Sequence, residues 1–279
     1  MKKVTLVALA SIAVLPQQPT FKARVDAVRV DALVTDGRQP ITGLGAADFE
    51  VRDDGVLQRI DRVGAEDVPL EIVVALDTST SVAGRPLEEL KRAAKATLGI
   101  LRPGLDRAAV LPFSHQVSFP AALTADRALL ADSIDALQSA GGTSVLDAVA
   151  IGLMLRRTPG TRRLLLVYTD ALDTFSWLEP DEVLAIAQRA DTVIYFVGTR
   201  PDPRGYASQL PDATGGAYLN AGNITHVRDV FSKVLSEFRN RYLLTYYPEG
   251  VGRGGWHTVE VKLKGRKGQV QARRGYQAD

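Results

Sequence analysis

The run Leu70-Glu71-Ile72-Val73-Val74-Ala75-Leu76 is apolar at consecutive rather than alternate positions, which is how a strand covered on both faces of a parallel sheet reads. Arg163 to Asp170 and Thr192 to Gly198 repeat the pattern. Ala108 to Phe113 gives a weaker fourth strand, because Pro112 cannot donate a ladder hydrogen bond, and Gln116 to Phe119 adds a short edge strand. Between these runs, Leu87, Leu90, Ala94, Leu98 and Leu101 fall on one helical face. Val227, Val230, Phe231, Val234, Leu235 and Phe238 do the same, and Val145, Val149, Gly152 and Leu153 predict another helix. Strands alternating with helices predict an α/β fold built on a doubly wound, mostly parallel sheet.

Both flanks change to period two. Val28, Val30, Ala32 and Val34 share one face near the start, and Phe49 and Val51 follow. Near the end, Tyr242, Leu244 and Tyr246 share a face, and Val259, Val261 and Leu263 alternate with Thr258, Glu260 and Lys262. Asp53-Asp54-Gly55 supplies residues that accept positive φ between two short runs, as a hairpin turn requires. Isolated hairpins are marginal in water. Residues 21–66 are therefore expected to pair with residues 239–279 in one small β-sandwich, with an α/β domain of residues 67–238 inserted between its halves.

A chain of 279 residues is long enough for one large core and a smaller one. The net charge of +2 creates no broad field for nucleic acid or anionic lipid, and the basic tail from Lys262 to Arg274 alternates as a solvated strand face does. Absence of cysteine removes disulfides, thiolate metal sites and thiol nucleophiles. Lys2-Lys3 and the apolar run Val4 to Leu15, stopped by Pro16, read as a secretory signal within residues 1–20. That run is shorter than the roughly 20 residues a membrane helix needs. An exported chain, periplasmic or secreted, with no stable membrane span after cleavage is expected.

The chemistry gathers at strand ends. Asp77-Thr78-Ser79-Thr80-Ser81 follows the first buried run, Thr143 stands behind Gly141-Gly142, and Asp170 closes the strand ending Val167-Tyr168-Thr169. Ligands of open parallel sheets collect at the carboxyl ends of strands, so Asp77, Ser79, Ser81, Thr143 and Asp170 are five candidate oxygen donors for a divalent cation. Mg2+ suits such hard oxygens, and Mn2+ or Ca2+ is an alternative. Two carboxylates and three neutral hydroxyls leave the ion underneutralised and attractive to an Asp or Glu of a protein partner. Thr80, Gly142, Asp173, Phe175 and Trp177 are placed around the ion as partner-contacting residues.

Asp-x-Ser-x-Ser with a distant Thr and a distant Asp resembles the metal-ion-dependent adhesion site of von Willebrand factor type A domains. The resemblance covers roughly residues 69–238 and implies that Ser79, Ser81 and, in an open form, Thr143 coordinate directly, with the aspartates acting partly through water. Gly43-Leu44, Asp48-Phe49-Glu50-Val51, Asp54-Gly55 and Arg274-Gly275-Tyr276 are similar to a bacterial group of exported proteins called VWFA-related. One departure is Ala171, where many relatives carry Gly.

Enzymatic alternatives have weaker support. An aspartyl-phosphate phosphatase needs a second acidic residue two positions after its nucleophile, and Ser79 stands there. Neither a dinucleotide-binding glycine fingerprint after the first strand nor a Gly-x-Ser-x-Gly elbow occurs. His115, His226 and His257 are scattered without zinc spacing. The expectation is a non-enzymatic interaction module, set against a structural envelope subunit using the α/β domain as a metal-free scaffold, and, behind both, a hydrolase.

Overall fold

The computed structural model of the chain describes residues 27–37, 39–64, 68–118, 123–170, 173–201 and 205–278. The leader expected over residues 1–20, Ala171 and Phe119 lie outside them. The amino-terminal flank forms β1 (Val28–Asp36), β2 (Gln39–Pro40), β3 (Phe49–Asp53), β4 (Val56–Gln58) and β5 (Ile60–Gly64). The middle forms β6 (Leu70–Asp77), α1 (Arg85–Gly99), β7 (Arg107–Phe113), α2 (Arg127–Asp135), α3 (Val145–Met154), β8 (Arg162–Tyr168), α4 (Pro180–Arg189), β9 (Val193–Gly198), α5 (Tyr206–Thr214), β10 (Tyr218–Asn220) and α6 (Val227–Arg239). The carboxyl-terminal flank adds β11 (Tyr242–Tyr246), β12 (Gly255–Leu263), β13 (Gln269–Gln271) and β14 (Gly275–Ala278).

The middle strands make a five-stranded parallel sheet in the order β10-β9-β8-β6-β7. Its two faces account for the unbroken apolar runs. Ile72, Val74 and Leu76 of β6 join one core with residues of α1, α2 and α6, whereas Val73 and Ala75 join a second core with residues of α3, α4 and α5. Pro112 is tolerated because β7 is an edge strand. Beyond Phe113, the expected edge strand is reduced among the described residues to a single bridge between Phe113 and Val117.

The flanks interleave as antiparallel sheets. β1 pairs with β11 from Val28 opposite Tyr246 to Ala32 opposite Tyr242, β11 pairs with β5, and β13 with β1. A second sheet runs β14-β12-β3-β4. Val30, Ala32, Val51, Leu244 and Tyr246 meet in the core these sheets share. The turn from β3 to β4 has Asp54 at φ 45° and Gly55 at φ 80°, the pair of positive values a two-residue hairpin needs.

Two buried arginines tie the antiparallel unit to the parallel sheet. Arg162, at the start of β8, donates from Nε to Asp31 Oδ1 at 2.7 Å and from Nη2 to the Phe238 carbonyl at 3.1 Å. Arg241, just past α6, donates to the Asp31 carbonyl at 3.2 Å and to the Tyr195 hydroxyl at 3.0 Å. Because both are desolvated, their cost is offset only while these acceptors stay in place, which fixes the sheet relative to the sandwich.

Candidate metal centre

β6 carries Asp77 to the carboxyl edge of the sheet, where the side chain is fully buried. Asp77 Oδ1 accepts the Ser79 N–H at 2.8 Å, and Oδ2 accepts the Thr169 hydroxyl at 2.7 Å. A 3-10 turn over Thr80–Val82 then brings Ser81 back beside Ser79, with their Oγ atoms 2.9 Å apart. Ser81 Oγ donates to Asp170 Oδ1 at 2.8 Å. Two loops, 89 residues apart in sequence, thus place Asp77, Ser79, Ser81 and Asp170 in one chain of hydrogen bonds.

The third loop is joined through its backbone. The Gly141 carbonyl accepts both the Thr80 N–H and the Thr80 hydroxyl at 3.0 Å, and the Ala140 N–H donates to the Thr78 carbonyl at 2.9 Å. Gly141 sits at φ +65°, and a Cβ there would lie 1.9 Å from His115 Nδ1; a Cβ on Gly142 would lie 2.2 Å from the Phe175 ring. Thr143 is buried, its carbonyl accepting the Thr174 and Phe175 N–H groups at 2.9 and 3.0 Å. Among the described residues, the Thr143 hydroxyl makes no hydrogen bond to the other four donors.

Burial pushes the Asp77 carboxyl pKa upward, hydrogen bonds from Ser79 and Thr169 oppose the shift, and the negative charge of Asp170 adds to it. Burial and the charges of Asp170 and Asp77 likewise raise the Tyr168 phenol. The pocket of potential is therefore negative. Its donors are all oxygen and include a carboxylate that burial disfavours unless a positive charge is near, a donor set that would fit a hard divalent cation, with Asp77, Ser79, Ser81 and Asp170 as the residues that would hold it.

Asp173 departs from its expected place on the partner face. It is buried, and its Oδ2 accepts the Leu146 N–H at 2.9 Å while Oδ1 accepts the Ser176 N–H at 3.0 Å. Its charge thus satisfies the Leu146 amide in the first turn of α3, which would otherwise be orphaned, and the Ser176 amide of its own loop. Asp147 returns the contact, accepting the Trp177 and Leu178 N–H groups at 3.1 Å. Phe175 and Trp177 are exposed, Trp177 to 92%. Thr80 is exposed at the same rim. His115 is an exposed loop residue whose Nδ1 lies 3.4 Å from Ser114 Oγ, too long for an activated nucleophile pair.

Sequence reasoning missed Thr169, although it directly precedes Asp170, and missed a second cluster altogether. His257 Nδ1 lies 2.8 Å from Asp53 Oδ1 and 3.5 Å from Asp54 Oδ2, so the ligand atoms of these three residues are close enough together that they could hold a cation. Asp53 Oδ2 also accepts the Tyr246 and Tyr276 hydroxyls at 2.9 Å. Because His257 lies 204 positions after Asp53, no local spacing reveals the group.

The model of the von Willebrand factor type A domain matches residues 71–233, and the chain belongs to that family. Domains of this family are in general protein-interaction modules. Among solved structures, a von Willebrand factor type A protein from Catenulispora acidiphila is similar at TM-score 0.57 and 14% identity, over 88% of this chain and 75% of that one. Proximal thread matrix protein 1 from the mussel byssus, with a zinc-occupied MIDAS motif, aligns at TM-score 0.55 and 13% identity over 65% of this chain and 48% of its own. An aerotolerance-related membrane protein from Bacteroides fragilis aligns at TM-score 0.50 and 14% identity, over 60% of this chain and 99% of that one. At these identities the likeness is one of fold. No curated protein matches the chain. Among the described residues, no helix is long and apolar enough to cross a membrane.

Proposed function

We propose that the chain is an exported, non-enzymatic adhesion module that binds an acidic group of a protein partner through a divalent cation at Asp77, Ser79, Ser81, Thr143 and Asp170. The observation that carries this reading is the hydrogen-bonded chain from Asp77 through Ser79 and Ser81 to Asp170. When bound, the ion supplies a positive charge with at least one coordination position for a partner carboxylate. The hydrogen bonds from Ser79 and Thr169 hold Asp77 in place, and the hydroxyls of Ser79 and Ser81, with Asp170, would supply hard oxygen donors to the cation. Having only neutral hydroxyls beside the carboxylates keeps positive charge directed outward. Phe175, Trp177 and Thr80, all exposed, contribute contact area around the point charge, aromatic side chains being favoured at such interfaces.

The same proposal takes residues 1–20 as the export signal, residues 67–238 as the interaction domain and residues 21–66 with 239–279 as its sandwich base. Mg2+ is the proposed ion, with Mn2+ or Ca2+ as alternatives. The purified chain fixed to a support is expected to capture protein from an envelope fraction in Mg2+ and to release it in chelator, with Asp77→Ala capturing none while keeping the wild-type circular dichroism. Equal capture with and without chelator rejects the reading.

A further inference from the structure

A second recess lies at the opposite edge of the parallel sheet. It has a volume of about 580 Å3 and is walled by Arg29 of β1, Arg157 ahead of β8, Arg189 and Asp191 at the end of α4, Arg253, and Arg273 between β13 and β14. Arg157 and Arg189 stand just before β8 and β9 begin, so the recess is at the amino ends of the strands, away from Asp77 and Asp170. The volume falls within the roughly 300–1,000 Å3 typical of small-molecule sites.

Five guanidinium groups face this space with one carboxylate among the lining residues. Asp191 is shared, paired with Arg157 and lying 3.4 Å from Arg29. Arg273 is occupied only by carbonyls, donating from Nε to Gly275 at 2.6 Å and from Nη2 to Gln188 at 2.8 Å. Among the described residues its Nη1 has no acceptor, and the side chains of Arg189 and Arg253 make neither hydrogen bond nor ion pair. Burial pulls the Arg273 pKa down, while the charge of Asp191 opposes that shift. Gly250, Gly252 and Gly254 bring side-chain-free backbone to the same wall.

Arg189 in the last turn of α4 has a structural role open to it, since a cation there complements the helix dipole. That role is local. It explains neither the convergence of Arg253 and Arg273 from other elements nor the surplus of positive charge over Asp191. Guanidinium forks match phosphate and carboxylate geometry, and charge-assisted bonds of this kind are the stronger class.

We propose that this recess is a binding site for a ligand bearing a phosphate-class oxyanion with at least two negative charges. Arg189 and Arg253 supply the outer, unpartnered charges, and Arg273 supplies a donor at the inner wall. The site does not depend on the metal centre.

Calorimetric titration of the full chain with inorganic pyrophosphate at low salt tests a free ligand, and flotation with vesicles of cardiolipin, whose headgroup carries two phosphates, in phosphatidylcholine tests a headgroup. Retention of one probe by the wild type, weakened at least tenfold in R189Q/R253Q and unchanged in D77A, supports the site and identifies its source. Both substitutions fall on exposed residues, so the fold is expected to survive, as circular dichroism would verify. Binding of neither probe, or equal binding by R189Q/R253Q, overturns the proposal. Because D77A carries the metal test, failure at one site leaves the other reading standing.

Discussion

Asp106 offers a sharp energetic test because a single carboxylate joins three elements. It is buried, and it accepts the Leu70 N–H of β6 at 3.0 Å, the Arg102 N–H at 2.8 Å and Arg239 Nη2, from the last residue of α6, at 2.7 Å. Burial alone would push its pKa up; the hydrogen bonds from Arg102, Arg239 and Leu70 outweigh burial and hold it at about 2, against an ordinary 3.8. At about 1.4 kcal/mol per tenfold change, that depression corresponds to about 2 kcal/mol of folding stability from ionisation. The folded-state value lies below the unfolded one, so this stabilisation is complete above about pH 4 and is lost as pH falls toward 2. Asp106→Asn keeps the shape but removes the charge. Urea denaturation is expected to place the variant about 2 kcal/mol below wild type at pH 7, with the gap closing as pH falls from 4 toward 2. A gap that is absent at neutral pH, or that stays constant down to pH 2, would refute the reasoning.

Gly141→Ala puts a Cβ 1.9 Å from His115 Nδ1 at a backbone φ of +65°, so denaturation should show a loss of about 1 kcal/mol or more, and Mn2+ titration should show weaker binding as the loop carrying Thr143 shifts. Phe238→Ala empties a fully buried site in α6, beneath the Arg162 guanidinium 4.9 Å from its ring; urea melts should report a loss of about 3–5 kcal/mol. Trp177→Ala, at a side chain exposed to 92%, should change stability by under about 0.5 kcal/mol while reducing metal-dependent capture of the partner on the support. A large stability loss there would show Trp177 to be a structural residue.

Much of the architecture was legible because burial on two faces leaves a signature that periodicity detects. β6, β8 and β9 are solid apolar runs, and α1 and α6 carry long one-sided stripes. The elements that escaped lack a clear periodic signal: α4 buries only Val183 and Ala187, α5 has Pro211 inside a short helix, and β10 has three residues, none of them buried. The candidate oxygen donors could be singled out because each follows a strand or a glycine pair. Asp173 was misplaced because sequence cannot distinguish a carboxylate facing solvent from one satisfying the Leu146 amide of α3. Arg162, Arg241 and the Asp53–His257 pair act across long separations, and only the folded chain brings their partners together.

Anomalous diffraction from crystals of the chain grown with Mn2+ tests the central claim most directly. A peak is expected within coordination distance of Ser79 Oγ, Ser81 Oγ and an Asp170 oxygen, with those hydroxyls turned toward it. A peak confined to Asp53, Asp54 and His257, or none beside Ser79 and Ser81 at saturating Mn2+, would contradict it.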